Sequence, residues 1–218
     1  MLAQTVLTGG MAGLAYLLGA IPTGYLLAKI KGVDIRKVGS GNIGATNVYR
    51  CVGKGWGILT FVLDFLKGYL PAAVFPILAQ RWFMELSGMH LSLLCGCMAV
   101  VGHNWPVYLG FRGGKGMATG AGALLGFAPL AMLIGVIGWL IFFLATRYVS
   151  LSSMLAAVLV AACSWWIYRG QVLIPVTLSI MGAIVIWRHH GNIKRLLNGT
   201  EHRFRFMQNS KFQTPNPK

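Results

Sequence analysis

Three short segments of this chain gather groups that suit the binding of oxyanions. The first reads Gly39-Ser40-Gly41-Asn42-Ile43-Gly44-Ala45-Thr46-Asn47, followed by Arg50. Glycines at i, i+2 and i+5 allow successive backbone N–H groups to point into one concavity, the shape that cradles phosphate. Ser40, Asn42, Thr46 and Asn47 offer neutral polar groups beside it, and Arg50 a bidentate charged donor. The spacing imitates a dinucleotide fingerprint, but no strand precedes it, so that fold is excluded by context. Taken alone, such a loop is equally a flexible connection.

The second segment reads Gly102-His103-Asn104-Trp105-Pro106-Val107-Tyr108, then Phe111-Arg112-Gly113-Gly114-Lys115-Gly116. Its glycines lie where the next helix begins, so free N–H groups and the positive end of the helix dipole surround Lys115. Gathering cations at a helix start opposes the macrodipole, and a bound anion is the economical reason to do so. Trp105 and Tyr108 read as interface anchors. His103 is a candidate base or a hydrogen-bonding group.

The third segment is Arg188-His189-His190-Gly191-Asn192-Ile193-Lys194-Arg195, ending in Gly199-Thr200-Glu201. His189 and Asn192, three residues apart, are expected on one helix face, whereas Lys194 and Arg195 suit lipid phosphate. The connection 146–153 adds Arg147 and the hydroxyls of Ser150, Ser152 and Ser153. Asp64 and Lys67 lie three apart within an apolar stretch and read as a self-neutralising packing pair. No H-x4-D acyltransferase pattern, multi-carboxylate cluster or convincing Ser-His-Asp triad is present. No metal or cofactor is therefore expected, and the chemistry suits substrates that are phosphorylated and already activated.

The elements that hold these segments follow from composition. Of 218 residues, 56% are apolar and 11% charged, against about 25% charged in a soluble domain. Four stretches, 5–28, 117–146, 148–168 and 170–187, carry no charge. Each approaches or exceeds the ~18–20 residues that cross a bilayer. Two more, 56–79 and 86–102, are interrupted only by Asp64, Lys67 and His90. A soluble enzyme, a disordered chain, a disulfide-stapled module and a nucleic-acid-binding domain are all poor fits. The net charge of +15 sits between apolar runs and points to anionic lipid and phosphorylated small molecules, not nucleic acid. The cysteines show no metal-site spacing, and residues 1–10 have no positive n-region of a cleaved signal peptide.

The run 117–146 is long for one helix, and Gly126-Phe127-Ala128-Pro129 in its middle can turn the chain. With a turn there, the protein has seven spans. Sixteen Lys/Arg then fall on one side and Arg81 and Arg169 on the other; six spans would divide them nine against nine. The positive-inside rule favours seven, with the fourth and fifth short, the amino terminus outside and the carboxyl terminus cytoplasmic. The expectation is an all-α polytopic membrane domain over 1–201 and a basic cytoplasmic tail over 202–218. All three polar segments would then face the cytoplasm. A binding or transport protein for an organic phosphate is the competing class, weakened by the absence of visible inverted repeats and of a cationic outer face.

The motifs GSGNIGATN with Arg50, GHNWPVYLGFRGGKG, and RHHGN with Gly199 and Glu201 closely resemble, in order and spacing over nearly the whole chain, the bacterial acyl-phosphate:glycerol-3-phosphate acyltransferases, the PlsY family. That resemblance implies a seven-helix inner-membrane enzyme. It would move a fatty acyl group from acyl phosphate to the 1-hydroxyl of glycerol 3-phosphate, giving lysophosphatidic acid and phosphate at the start of phospholipid synthesis. No obligate protein partner is evident. The catalytic set is taken as Ser40, Arg50, His103, Lys115, His189 and Asn192. Phosphate binding is expected from Gly39, Gly41, Asn42, Gly44, Thr46, Asn47, Asn104, Arg112, Gly113, Gly114, Ser153 and Arg188. The hydroxyl proton would pass to His103, to His189 or to a substrate phosphate, the last slightly preferred.

Overall fold

The computed structural model describes residues 2–82 and 88–204, so the tail expected over 202–218 falls outside it from residue 205 onward. Among the described residues the regular structure is entirely helical: α1 (Leu2–Ala20), α2 (Thr23–Ile30), α3 (Ala45–Cys51), α4 (Lys54–Trp82), α5 (Gly88–Asn104), α6 (Met117–Phe127), α7 (Pro129–Thr146), α8 (Val149–Ile167), α9 (Leu173–Arg188) and α10 (His190–Leu197). Leu2–Ile30, Lys54–Arg81, Pro129–Thr146 and Val149–Ile167 are long and apolar enough to cross a membrane, and α9 with α10, bent by 55°, makes a fifth candidate.

Prolines set the breaks. The expected first span is interrupted at Ile21-Pro22, and α2 starts anew at Thr23. The run 117–146 divides at Ala128, with Pro129 at the first turn of α7, where its missing N–H costs nothing. The helix expected as a short fourth span, α6, has 11 residues and is not among the helices long enough to cross. The one expected as a short fifth is longer: α7 has 18 residues, about 27 Å of helix, because every residue from Pro129 to Ala145 is uncharged and nothing interrupts the apolar run. Its Leu133, Val136, Ile137, Leu140, Ile141 and Leu144 are exposed, an outward face fit for hydrocarbon. Within α4, Pro76 leaves the Ala72 carbonyl without its helical donor, and the Ser92 hydroxyl of α5 supplies one.

Small residues bring the helices close enough to aim the loops. A Cβ on Gly68 of α4 would collide with the Thr119 backbone of α6, and one on Gly122 of α6 with the Phe65 backbone of α4. This backbone-on-backbone seam is the small-residue packing favoured where apolar side chains gain nothing by leaving lipid. It fixes the start of α6, and with it the 105–116 loop, against the end of α5.

Candidate active site

The glycine-rich loop before α3 is organised from within. Asn47, 2% exposed, donates through Nδ2 to the carbonyls of Ile35 (3.2 Å), Val38 (3.1 Å) and Asn42 (2.9 Å). Its Oδ1 accepts the Ser40 N–H at 3.0 Å. Gly44 N–H donates to Asn42 Oδ1 (2.9 Å) and Gly41 N–H to the Val38 carbonyl (3.0 Å). Asn47, Gly41 and Gly44 thus give N–H groups, and Asn42 its Oδ1, to the turn itself. The loop leaves Ser40 and Thr46 exposed, with Arg50 bonded to the Thr46 carbonyl at 3.2 Å.

The second loop is clamped from two sides. Gly113 N–H donates to Asn104 O (3.2 Å) and Gly114 N–H to His103 O (3.0 Å). Arg188 donates to Gly113 O (2.8 Å) and Gly114 O (2.6 Å) while its guanidinium lies 5.6 Å from the Trp105 ring centroid. Gly113, Gly114 and Arg188, all expected at phosphate, bond one another in this structure. Asn104 is buried beneath Gly116 with an unpartnered Oδ1, and Arg112 is exposed at the mouth. A cavity of about 470 Å³ opens there, lined among others by Arg36, Lys37, Gly41, Arg112 and Arg188.

Beside this clamp the three segments meet. Lys115 donates to Asn192 Oδ1. Asn192 Nδ2 donates to Glu201 Oε1 at 2.6 Å, which also accepts from Ser150 Oγ at 2.7 Å, and Arg195 Nε reaches Oε2 at 2.7 Å. Arg50, from the first loop, lies within the electrostatic reach of both Lys115 and Glu201. Burial pushes Lys115 down to about 8, aided by the charges of Arg195, Arg50 and Arg188 and opposed by Glu201. Burial disfavours the Glu201 charge, but hydrogen bonds from Ser150, Asn192 and Arg195 prevail and hold the carboxyl below its ordinary range.

His189 occupies the kink between α9 and α10, 3% exposed, with Nδ1 2.8 Å from the Val185 carbonyl. Burial, followed by the Lys115 charge, lowers it to about 4, so it is neutral near pH 7. A carbonyl only accepts, so Nδ1 carries the proton and Nε2 the lone pair. His190, its neighbour, is exposed and bonds Trp187 O instead, which settles which of the doubled histidines turns inward.

Ser153 is not in this group. Its Oγ donates to Val149 O (2.8 Å) and accepts Trp139 Nε1 (3.2 Å), and Ser150, one turn earlier, is the hydroxyl that reaches Glu201. Ser150 and Glu201 are the residues that sequence reasoning undervalued. The signal for Glu201 was available in the scarcity of acids: a lone carboxylate amid Arg195, Lys194 and Arg188 is seldom idle. His103 lies on the far side of Gly114, 4% exposed, with Nδ1 3.6 Å from Asp64 Oδ1, a carboxylate neighbour that the sequence did not assign.

Fold and site together define an integral membrane protein in which Lys115, Asn192 and Glu201 meet next to a loop cavity lined by Arg36, Lys37, Arg112 and Arg188. The profile of the glycerol-3-phosphate acyltransferase family matches residues 10–199. A glycerol-3-phosphate acyltransferase of Aquifex aeolicus is 45% identical over 193 residues, 87% of this chain and 95% of that protein. One of Thermosynechococcus vestitus is 46% identical over 204 residues, 91% of this chain and 95% of its own. Among solved structures, PlsY, an integral membrane glycerol 3-phosphate acyltransferase, superposes in its glycerol 3-phosphate form with a TM-score of 0.81 at 43% identity, covering 90% of this chain and 95% of that one. Its lysophosphatidic acid form gives 0.78 at 42%. The chain belongs to the glycerol-3-phosphate acyltransferase family.

Proposed function

We propose that the acyl donor is an acyl phosphate and the product lysophosphatidic acid. What supports this reading is the pairing of two cations that bond only neutral oxygens, Lys115 and Arg50, with no activated nucleophile beside them among the described residues. A thioester donor brings no phosphate to the reacting carbon. A mixed anhydride does, because its leaving group is itself phosphate.

In the reaction, the 1-hydroxyl oxygen of glycerol 3-phosphate attacks the acyl carbonyl carbon. The bond from that carbon to the phosphate oxygen breaks, and phosphate leaves with the electron pair. Lys115 and Arg50 hold and neutralise phosphate oxygens, Ser40 and Thr46 add hydroxyl contacts, and Asn192 orients Lys115. Holding the two substrates together supplies much of the rate, and stabilising the developing oxyanion supplies the rest. The hydroxyl proton passes to a substrate phosphate. A phosphate monoester titrates near about 6, so it is the stronger base than His189, which accepts a hydrogen bond through Nε2 and orients the hydroxyl.

Seven crossings follow if α5, the short α6 and α9 join the four long candidates while α3 and α10 lie along the surface. The amino terminus is then outside, the carboxyl terminus and the site cytoplasmic, and the membrane the bacterial inner one. Purified protein incubated with palmitoyl phosphate and labelled glycerol 3-phosphate, with neither acyl-CoA nor acyl carrier protein, should yield equimolar lysophosphatidic acid and phosphate. No product under these conditions refutes the donor assignment. Single cysteines placed beside Arg50 and beside Asn192 should both be labelled from the cytoplasmic face, and labelling from opposite faces would remove the shared pocket.

A further inference from the structure

Behind the Gly113–Gly114 turn lies a buried ionic cluster that the reaction above does not use. Asp64 and Lys67, one turn apart on α4 and 2% and 7% exposed, pair at 2.8 Å. The same Asp64 oxygen accepts the Thr23 hydroxyl of α2 and faces His103 Nδ1 of α5 at 3.6 Å. Lys67 also donates to the Ile21 carbonyl at 2.7 Å, at the break that Pro22 makes in the first span. The carboxylate thereby ties α2 to α4 and faces α5 through His103 Nδ1, a buried nitrogen with no hydrogen-bond partner.

The opposite edge of the His103 ring bears on the catalytic loop. A Cβ on Gly114 would overlap His103 Nε2 and lie 2.8 Å from Cε1 and 3.0 Å from Cδ2, so the imidazole and the Gly114 backbone are in full contact. The His103 and Asn104 carbonyls accept the Gly114 and Gly113 N–H groups at 3.0 and 3.2 Å. Arg188 pulls on the same two peptides from the other side. Lys115 follows immediately in the chain.

A buried ion pair alone is weak evidence of a stabilising role, since apolar replacement of both partners is often neutral. What an apolar pair could not supply is a negative charge facing the buried, otherwise unpartnered His103 Nδ1. We propose that Asp64 is a positioning residue. Through its field on His103 it sets that ring, the ring sets the height of the Gly113–Gly114 backbone, and the backbone sets the Lys115 ammonium at the reacting phosphates. His103 is then a strut with Gly114 sealing its Nε2, and takes no part in proton transfer. The inference rests on the acyl-transfer reading above for Lys115.

Asp64→Asn leaves Lys67 without its partner and is expected to cost stability as well as rate, so the decisive variant is Asp64→Asn with Lys67→Met. It should regain a thermal midpoint near that of the wild type while keeping kcat at least tenfold down, with KM for glycerol 3-phosphate changed less than threefold. A double variant with kcat within twofold of wild type overturns the proposal, because Asp64 would then serve only as the counter-ion of Lys67. Should the double variant fail to insert, Thr23→Val keeps both charges and removes one hold on the carboxylate. Its kcat should fall threefold or more at an unchanged thermal midpoint, and wild-type turnover in it overturns the proposal equally. Wild-type protein is run in parallel. If it yields no lysophosphatidic acid from acyl phosphate, the donor assignment fails, and the variant-to-wild-type ratio is read with acyl-CoA or acyl carrier protein as donor instead.

Discussion

Replacing Lys115 by arginine tests whether its ammonium is the cation that meets substrate. Burial and the neighbouring cations bring Lys115 from its ordinary 10.5 to about 8, which corresponds to about 3 kcal/mol working against the charged form in the free protein. The kcat/KM profile reports ionisations of the free enzyme, so its alkaline limb should be half down near pH 8 and fall about tenfold per further pH unit. The sign is fixed by chemistry: raising the pH removes the proton, and with it the charge that holds phosphate. Bound phosphate returns an opposite charge to the site, so the limb in kcat, which reports the complex, should lie at higher pH than that in kcat/KM. In Lys115→Arg the guanidinium does not titrate below about 12, and the limb near 8 should disappear even if turnover is lower throughout. The assay is phosphate release from palmitoyl phosphate between pH 6 and 10, with spontaneous hydrolysis subtracted. An arginine variant that retains the wild-type limb, or a wild-type profile flat to pH 10, refutes the assignment.

Glu201→Gln keeps the shape of the side chain but removes the charge that faces Arg195 and, through Asn192, Lys115; kcat/KM should fall about tenfold, or about 1.4 kcal/mol, and an unchanged value would leave Glu201 a mere helix-end anchor. Ser150→Ala and Ser153→Ala should separate: the first removes a 2.7 Å bond to Glu201 and should lower turnover severalfold, whereas the second, whose hydroxyl serves Val149 and Trp139, should leave steady-state rates within twofold. Asn47→Ala strips partners from three carbonyls and the Ser40 N–H. At about 1–3 kcal/mol for an orphaned buried group, it should lower the thermal midpoint and raise KM for glycerol 3-phosphate, and a variant as stable as wild type would contradict the loop assignment.

The helical scaffold was legible because uncharged runs of 18 residues or more have few fates, and because a proline that follows Gly126-Phe127-Ala128 favours a helix start at Pro129. The meeting of Lys115 with Asn192 was legible in outline, through three cationic motifs assigned to one face by charge count. The internal wiring was not. Asn47 and Thr46 are adjacent polar residues with similar prospects on paper, and only the fold of 35–44 around Asn47 decides that it turns inward. The contact of Asp64 with His103 joins residues from different helices, and no local spacing encodes it. The helix after the turn at 126–129 was expected to be short, yet the residues from Pro129 to Thr146 already suffice for 18 residues of helix.

The excess of cations over acids explains why so many expected phosphate ligands turn out to be internal. With 19 Lys and Arg against four Asp and Glu, carboxylates cannot satisfy the basic side chains that approach the site. Arg188 therefore bonds the Gly113 and Gly114 carbonyls, Arg50 the Thr46 carbonyl, and Lys115 an amide oxygen. Each acceptor is neutral and leaves the positive charge in place. Glu201 is the one carboxylate at the centre, and its oxygens already serve Ser150, Asn192 and Arg195. A site built this way retains an attraction for anions after every internal hydrogen bond has been made, which is what the proposed pair of phosphorylated substrates, each repelling the other in water, would need to be held side by side.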